Sequence, residues 1–294
     1  MHPFAVVDVS SWGVASTEGS GGDEKLWLTD LDQRRWLFKP RTEHVGWSQG
    51  EDWAERVVAH LAELMRIPAA QVELAVRDGR RGSISLSLRP QGWELQHGAL
   101  LLQAADPSYT PRTKERFGHD LESIRRALTE VQALASRAPM TAFDAFAGYL
   151  VLDALVANQD RHEENWAVLR PLPEQGAAVL AGSYDHGSSL GFNLQDERRV
   201  QLLDEDAVGG FADRARAQRF DRATDGRLTL VQLAHRALTL CRPSAAGAWM
   251  EALRTVDEDQ LEDVVAGVPD LSGTARRFTS ALLAHNRRRL LDEH

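Results

Sequence analysis

A small, sheet-bearing N-terminal lobe followed by a larger, mostly helical lobe is the α+β architecture that the sequence predicts. Three observations carry it. Strand and hairpin signals crowd into the first 90 residues, a single amphipathic helix interrupts them, and helical periodicity dominates from residue 91 to the end. The boundaries expected are therefore 1–90 for the N-lobe and 91–294 for the C-lobe. No repeat and no low-complexity linker divides the 294 residues, so the two parts read as lobes of one unit.

The elements follow in order. Residues 13–24 are rich in Gly, Ser and Thr and predict a flexible loop. Leu26-Trp27-Leu28 and Trp36-Leu37-Phe38, separated by a polar turn at Asp30 to Gln33, predict a hairpin that Lys39-Pro40 closes. From Gly50 to Arg66, Trp53, Val57, Val58, Leu61 and Leu64 recur at helical spacing until Pro68. Val72 to Val76, a turn at Asp78-Gly79 and the alternating Ile84, Leu86 and Leu88 predict two further strands, and Pro90 to Gly92 a connection. Asp120 to Ser136 and Thr141 to Ala157 predict helices, the second apolar on every face and therefore buried. Trp166 to Leu169 and Ala178 to Leu180 predict short strands around a turn at Pro171 to Gly176. Helices over 228–241, 245–254, 258–266 and 275–292 complete the chain.

Composition excludes several functions. With 43 Asp and Glu against 34 Lys and Arg the net charge is −9, unsuited to coating nucleic acid or an anionic membrane. Cys241 is the single cysteine, so neither an internal disulfide nor a cysteine zinc site can form, and a reducing cytoplasm is the expected location. Met1-His2-Pro3-Phe4 lacks the features of a signal peptide, and the best apolar run, Tyr149 to Ala157, is short and carries Asp153. Only Lys25, Lys39 and Lys114 are lysines in a chain that otherwise uses Arg, which singles out Lys39 at the end of an apolar strand.

The chemistry concentrates after the buried helix, in Asn158-Gln159-Asp160-Arg161-His162-Glu163-Glu164-Asn165 and then Tyr184-Asp185-His186-Gly187. An acid, an Asn five residues on and a second acid beyond a hairpin suit phosphoryl transfer. Asp160 would orient the attacking hydroxyl and accept its proton, while Asn165 and Asp185 would hold Mg²⁺ through oxygen ligands. Each piece alone has a plainer reading: Asp160 and Asn165 as helix-ending residues, Lys39 as a solvated strand end, Glu55 as a surface partner of Arg56 or His60. The order Lys, helix Glu, Asp-x₄-Asn, hairpin, Asp-x-Gly is what carries the joint case. Gly187-Ser188-Ser189-Leu190-Gly191 also matches a nucleophile elbow, with His235 or His285 as base, which keeps a serine hydrolase using Ser189 as an alternative.

On these motifs the chain resembles the HipA-like kinases, of the protein-kinase-like and phosphoinositide-kinase-like superfamily. The resemblance covers most of the chain. It rests on Trp36-Leu37-Phe38-Lys39, Ala54-Glu55, the segment 158–165, Tyr184-Asp185-His186-Gly187-Ser188-Ser189 and, more weakly, Asn286-Arg287-Arg288-Arg289-Leu290. It implies a two-lobed protein-kinase-like fold and an ATP- and Mg²⁺-dependent transfer to Ser or Thr of a protein. A small-molecule or lipid kinase, or a pseudokinase, is the alternative on the same fold. It further implies that Lys39 contacts the α- and β-phosphates and that Glu55 fixes Lys39, with Glu51 as the fallback one turn earlier. Asp160 becomes the catalytic carboxylate and Asn165 and Asp185 the metal ligands.

By the same resemblance Gly19, Ser20, Gly21 and Gly22 cover the phosphates with their N–H groups, with Lys25 at that loop's edge. Ser16, Thr17 and Ser20 stand where such kinases can phosphorylate their own loop. His162 and His186 read as structural hydrogen-bonding residues, although a His in a related phosphoinositide-kinase motif assists proton transfer. The segment departs from conventional protein kinases in lacking His-Arg-Asp and in carrying Asp-His-Gly for Asp-Phe-Gly. A HipB-like antitoxin is the partner the resemblance brings with it. The nucleotide loop comes within the first 25 residues, ahead of which HipA toxins carry a further subdomain, and this argues against binding it in the usual manner.

Overall fold

The computed structural model describes residues 3–18, 25–137, 139–173 and 176–292. Their order is β1 (Val6–Asp8), β2 (Gly13–Glu18), β3 (Lys25–Thr29), β4 (Arg35–Pro40), β5 (Glu43–His44), β6 (Trp47–Ser48), α1 (Glu51–Leu64), β7 (Val72–Arg77), β8 (Arg80–Leu86), β9 (Trp93–His97), α2 (Gly98–Ala105), α3 (Leu121–Ala127), α4 (Ala142–Val156), β10 (Ala167–Pro171) and β11 (Val179–Leu180). Then come α5 (Asp196–Asp204), α6 (Val208–Ala212), α7 (Leu230–Leu240), α8 (Pro243–Thr255), α9 (Glu258–Ala266) and α10 (Gly273–Asp292).

Six strands form one sheet in the order β1-β7-β8-β4-β3-β2, antiparallel except for the parallel pair β1–β7. The expected hairpin is β3–β4, with Leu26 opposite Phe38 and Leu28 opposite Trp36. Along β4 the side chains alternate: Trp36 and Phe38 are buried in an apolar cluster with Leu28 and Ile84, whereas Arg35, Leu37 and Lys39 face a cleft. Gly82 on β8 lies so close to β4 that a Cβ there would stand 2.2 Å from the Lys39 carbonyl oxygen, so only glycine allows this approach.

Helix α1 lays Trp53, Val57, Val58 and Leu61 into the main core, which runs on into the helical region through Phe146, Leu150 and Leu233. Buried throughout, α4 is the axis of that region. Thr141 caps it and Asp144 closes the capping box, a device contributing about 1 kcal/mol. No helix of the described residues is long and apolar enough to cross a membrane.

Three expectations are corrected. Residues 13–18, read as loop, form β2, because β3 offers an unpaired edge and Val14 and Thr17 suit a strand. The helix expected over 120–136 stops at Ala127, because the backbone of Gln132 instead bonds Ala178 O and Leu180 N beside β11. Trp93–His97, passed over in the sequence, forms β9 and completes a sheet of order β11-β10-β9.

Candidate active site

The cleft between the six-stranded sheet and the helical region measures about 700 Å³. Leu37, Ala70, Leu86, Leu88 and Leu95 give it an apolar slot. Lys25, Lys39, His162, Asn165 and Asp185 give it a polar end.

Lys39 Nζ lies 2.8 Å from Asp185 Oδ1 and 3.3 Å from Glu55 Oε1. Burial opposes its charge, but the two carboxylates prevail and hold its pKa above the ordinary lysine value. Asp185 is likewise opposed by burial and held well below the carboxylate range by Lys39, with help from the charge of Lys25. Burial raises the pKa of Glu55 against the pull of Lys39. Glu51 is engaged elsewhere, accepting from Thr42 Oγ1 at 2.7 Å, so Glu55 is the acid that meets Lys39.

The segment 158–165 is held in shape by its own side chains. After α4 the chain reverses at Ala157, which has φ 55°. Asn158 donates to Asp153 Oδ1 at 2.8 Å and accepts the Asp160 N–H at 3.0 Å, and Asn165 Nδ2 donates to the Asp160 carbonyl at 2.9 Å. Arg161 is the organiser that the sequence reading missed. Buried to 2% exposure, it grips Asp153 with two bonds of 2.7 Å and donates to Ser183 Oγ at 2.9 Å and to the Asn165 carbonyl. Ser183 in turn meets His186 Nε2 at 2.8 Å. Burial drives the His186 pKa down to about 3, so its imidazole is neutral. Asp153 and Arg161 thereby tie the 158–165 loop to the Asp185 segment. Asp153, a buried acid near the end of an otherwise apolar helix, was the available sequence signal.

Asp160 lies beside the cleft. Its Oδ1 accepts from Arg219 Nε at 2.6 Å, a contact across 59 residues that no local pattern announces. Arg219 is itself anchored through its carbonyl, which accepts from His119 Nδ1 at 2.8 Å, while His119 Nε2 accepts the Trp166 indole N–H at 3.2 Å. Both ring nitrogens are thus used by the neutral imidazole, and burial lowers the His119 pKa to about 4. The folded pKa lies below the ordinary 6.5, so the unfolded chain takes the proton first. This contribution to stability is full above pH 6.5 and is lost as the pH falls towards 4, by on the order of 3 kcal/mol. Urea midpoints should accordingly drop less between pH 7 and pH 4.5 in His119→Gln, whose amide can make both bonds, than in the wild type; equal drops would remove His119 as the cause.

The remaining sequence candidates divide. Lys25 lines the cleft, whereas Gly19, Ser20, Gly21 and Gly22, which join β2 to β3, lie outside the described residues. Ser16 and Thr17 are on β2. Ser189 is fully buried, its hydroxyl makes no hydrogen bond among the described residues, and the chain runs through turns at 187–193. The strand-in, helix-out elbow required of a serine nucleophile is not formed there, and His285 pairs with Asp213 instead.

A divalent cation fits what is present. Asp185 offers a carboxylate, and Asn165, with its nitrogen committed to Asp160, offers Oδ1, two hard oxygen donors on one cleft. No group of three or more His, Cys, Asp or Glu is placed to hold a metal among the described residues, so water and phosphate oxygens would complete the shell.

A β-sheet lobe on a helical lobe, with a Lys–Glu pair facing Asp185 in the cleft between them, is the protein-kinase-like fold. In solved structures it is shared with a proinflammatory kinase of Helicobacter pylori, CtkA, at TM-score 0.76 and 16% identity over 98% of this chain and 96% of that one. HipA of Shewanella oneidensis MR-1, solved with HipB and its operator DNA, gives a TM-score of 0.57 at 12% identity over 94% of this chain and 66% of that one. No family model matches the chain, and neither does any curated protein. At these identities the likeness is one of fold.

Proposed function

We propose that this protein is an ATP- and Mg²⁺-dependent phosphotransferase acting on Ser or Thr hydroxyls of a protein. The observation that carries the reading is the convergence on one cleft of Lys39 with Glu55 and of Asp185 with Asn165, whose side chain holds the Asp160 carbonyl and so ties Asp160 to the cleft. The apolar slot suits a purine, and Lys39 and Lys25 suit the phosphates. Bound Mg²⁺ would neutralise charge building on the phosphates. Lys39 would then exchange Asp185 for phosphate oxygens while Glu55 keeps it in place. Asp160 would align the acceptor hydroxyl and take its proton, and the 158–165 scaffold would hold Asp160 still meanwhile.

The HipB partner of the Shewanella protein is not carried over, because this chain spans 66% of that HipA and resembles it in fold. Titration calorimetry with ATP, with and without Mg²⁺, followed by transfer of labelled γ-phosphate to a Ser/Thr peptide library, tests the proposal. Mg²⁺-dependent binding and labelled peptides are the expected result. Absence of ATP binding would overturn it.

A further inference from the structure

Asp160 lines a second pocket, of about 350 Å³, distinct from the nucleotide cleft. Its other polar walls are Gln159, Ser188, Asn193, Arg214, Gln218 and Arg219, so Asp160 is the one acid in it and two arginines face it. The acid is already spoken for by Arg219. Arg214 is exposed and makes no ion pair among the described residues, and its neighbour Asp213 is taken by His285 at 2.9 Å and Arg289 at 3.1 Å. The pocket therefore carries surplus positive charge in a protein of net charge −9. Two backbone anchors hold the segment that supplies it: Arg216 N–H donates to Gln159 Oε1 at 3.1 Å, and the Arg219 carbonyl accepts from His119. The backbone is fixed, while the Arg219 side chain, 37% exposed, has room to swing.

We infer that this pocket receives the acceptor, and that the acceptor is a Ser or Thr within an acidic peptide segment. The inference rests on the phosphotransferase reading above. In the free protein Arg219 occupies the Asp160 oxygen that the acceptor hydroxyl needs. A carboxylate next to that hydroxyl binds Arg214 and draws the Arg219 guanidinium off Asp160, so that the correct acceptor unlocks the base.

The hydroxyl oxygen then bonds to the γ-phosphorus of ATP, and the bond from that phosphorus to the β,γ-bridging oxygen breaks. ADP leaves with the electron pair. The hydroxyl proton passes to the freed Asp160 carboxylate and from there to water. The overall negative charge does not prevent this, because charges more than about 8 Å away are largely screened at physiological salt. The pocket is open to the surface along exposed Asn193, Arg214 and Gln218, which suits a side chain presented by a polymer.

The test compares three Ser/Thr peptides that differ only in flanking Glu, Gln or Lys, with wild type, Arg214→Gln, Arg219→Gln and the double variant. ATP titrations on each protein report whether the nucleotide site is intact. The wild type should show at least about tenfold higher kcat/KM on the Glu peptide. The double variant should lose that preference, and Arg219→Gln should hydrolyse ATP faster without any acceptor, since Asp160 is then free to activate water. A purely structural role for Arg219 would give no such rise. Equal or greater activity on the Gln or Lys peptide, or an acidic preference intact in the double variant, overturns the inference while leaving ATP binding and transfer standing. Labelling of free serine with none of the peptides overturns the peptide acceptor. Loss of ATP binding by the wild type overturns the phosphotransferase reading and this inference with it.

Discussion

Asp160→Asn is expected to lower phosphoryl transfer by about 10²–10⁴-fold while leaving Mg²⁺-ATP affinity within a few-fold of wild type. The carboxylate faces the acceptor-side pocket, not the nucleotide cleft, so nucleotide contacts survive its loss. An amide keeps the shape and still accepts from Arg219, but it cannot take a proton from the attacking hydroxyl. The loop itself does not depend on the carboxylate, because its internal bonds use the Asp160 N–H and carbonyl. Single-turnover transfer of labelled phosphate, beside an ATP titration, separates the two effects. Transfer at the wild-type rate would remove Asp160 from the mechanism.

Asp185→Asn should have the opposite profile, losing Mg²⁺-dependent nucleotide binding before any chemistry is reached. Asn is the fitting substitution because Asp185 has φ 60°, the left-handed region that Asn tolerates better than Ala. It preserves an acceptor for Lys39 at 2.8 Å and removes only the charge. A hard divalent cation bound through one carboxylate and one amide depends heavily on that charge, so the Mg²⁺ enhancement of ATP affinity should fall at least about tenfold. Calorimetry at fixed ATP and varied Mg²⁺ reads this directly. An unchanged Mg²⁺ dependence would place the cation elsewhere.

Much of this site was legible in the sequence, and the reasons are local. The hairpin signal placed Lys39 at the end of an apolar strand, and helical spacing placed Glu55 on the next element. The polar run 158–165 stood out because α4 before it is apolar on every side. What escaped notice has long-range causes. Arg161 read as an ordinary charged residue until Asp153, Ser183 and the Asn165 carbonyl gathered around it. Arg219 belongs to an Arg-studded stretch whose neighbours look like solvated surface, and only folding brings it to Asp160.

Residue periodicity and motif order by themselves determined the two-lobed α+β plan, the hairpin carrying Lys39, the buried helix before the 158–165 loop, and the candidates Asp160, Asn165 and Asp185. These depend on properties each segment carries alone, namely which face is apolar and which side chains hold oxygen. Tertiary structure decided the rest. It brought Glu55, not Glu51, to Lys39, ended the helix expected over 120–136 at Ala127, turned residues 13–18 and 93–97 into strands, buried Ser189 and set Arg219 on Asp160. Each of these is a competition for partners distant in the chain, up to the 146 residues between Lys39 and Asp185. A short strand or a buried charge is stable only against the partner that satisfies its hydrogen bonds, and that partner is chosen by the assembled fold.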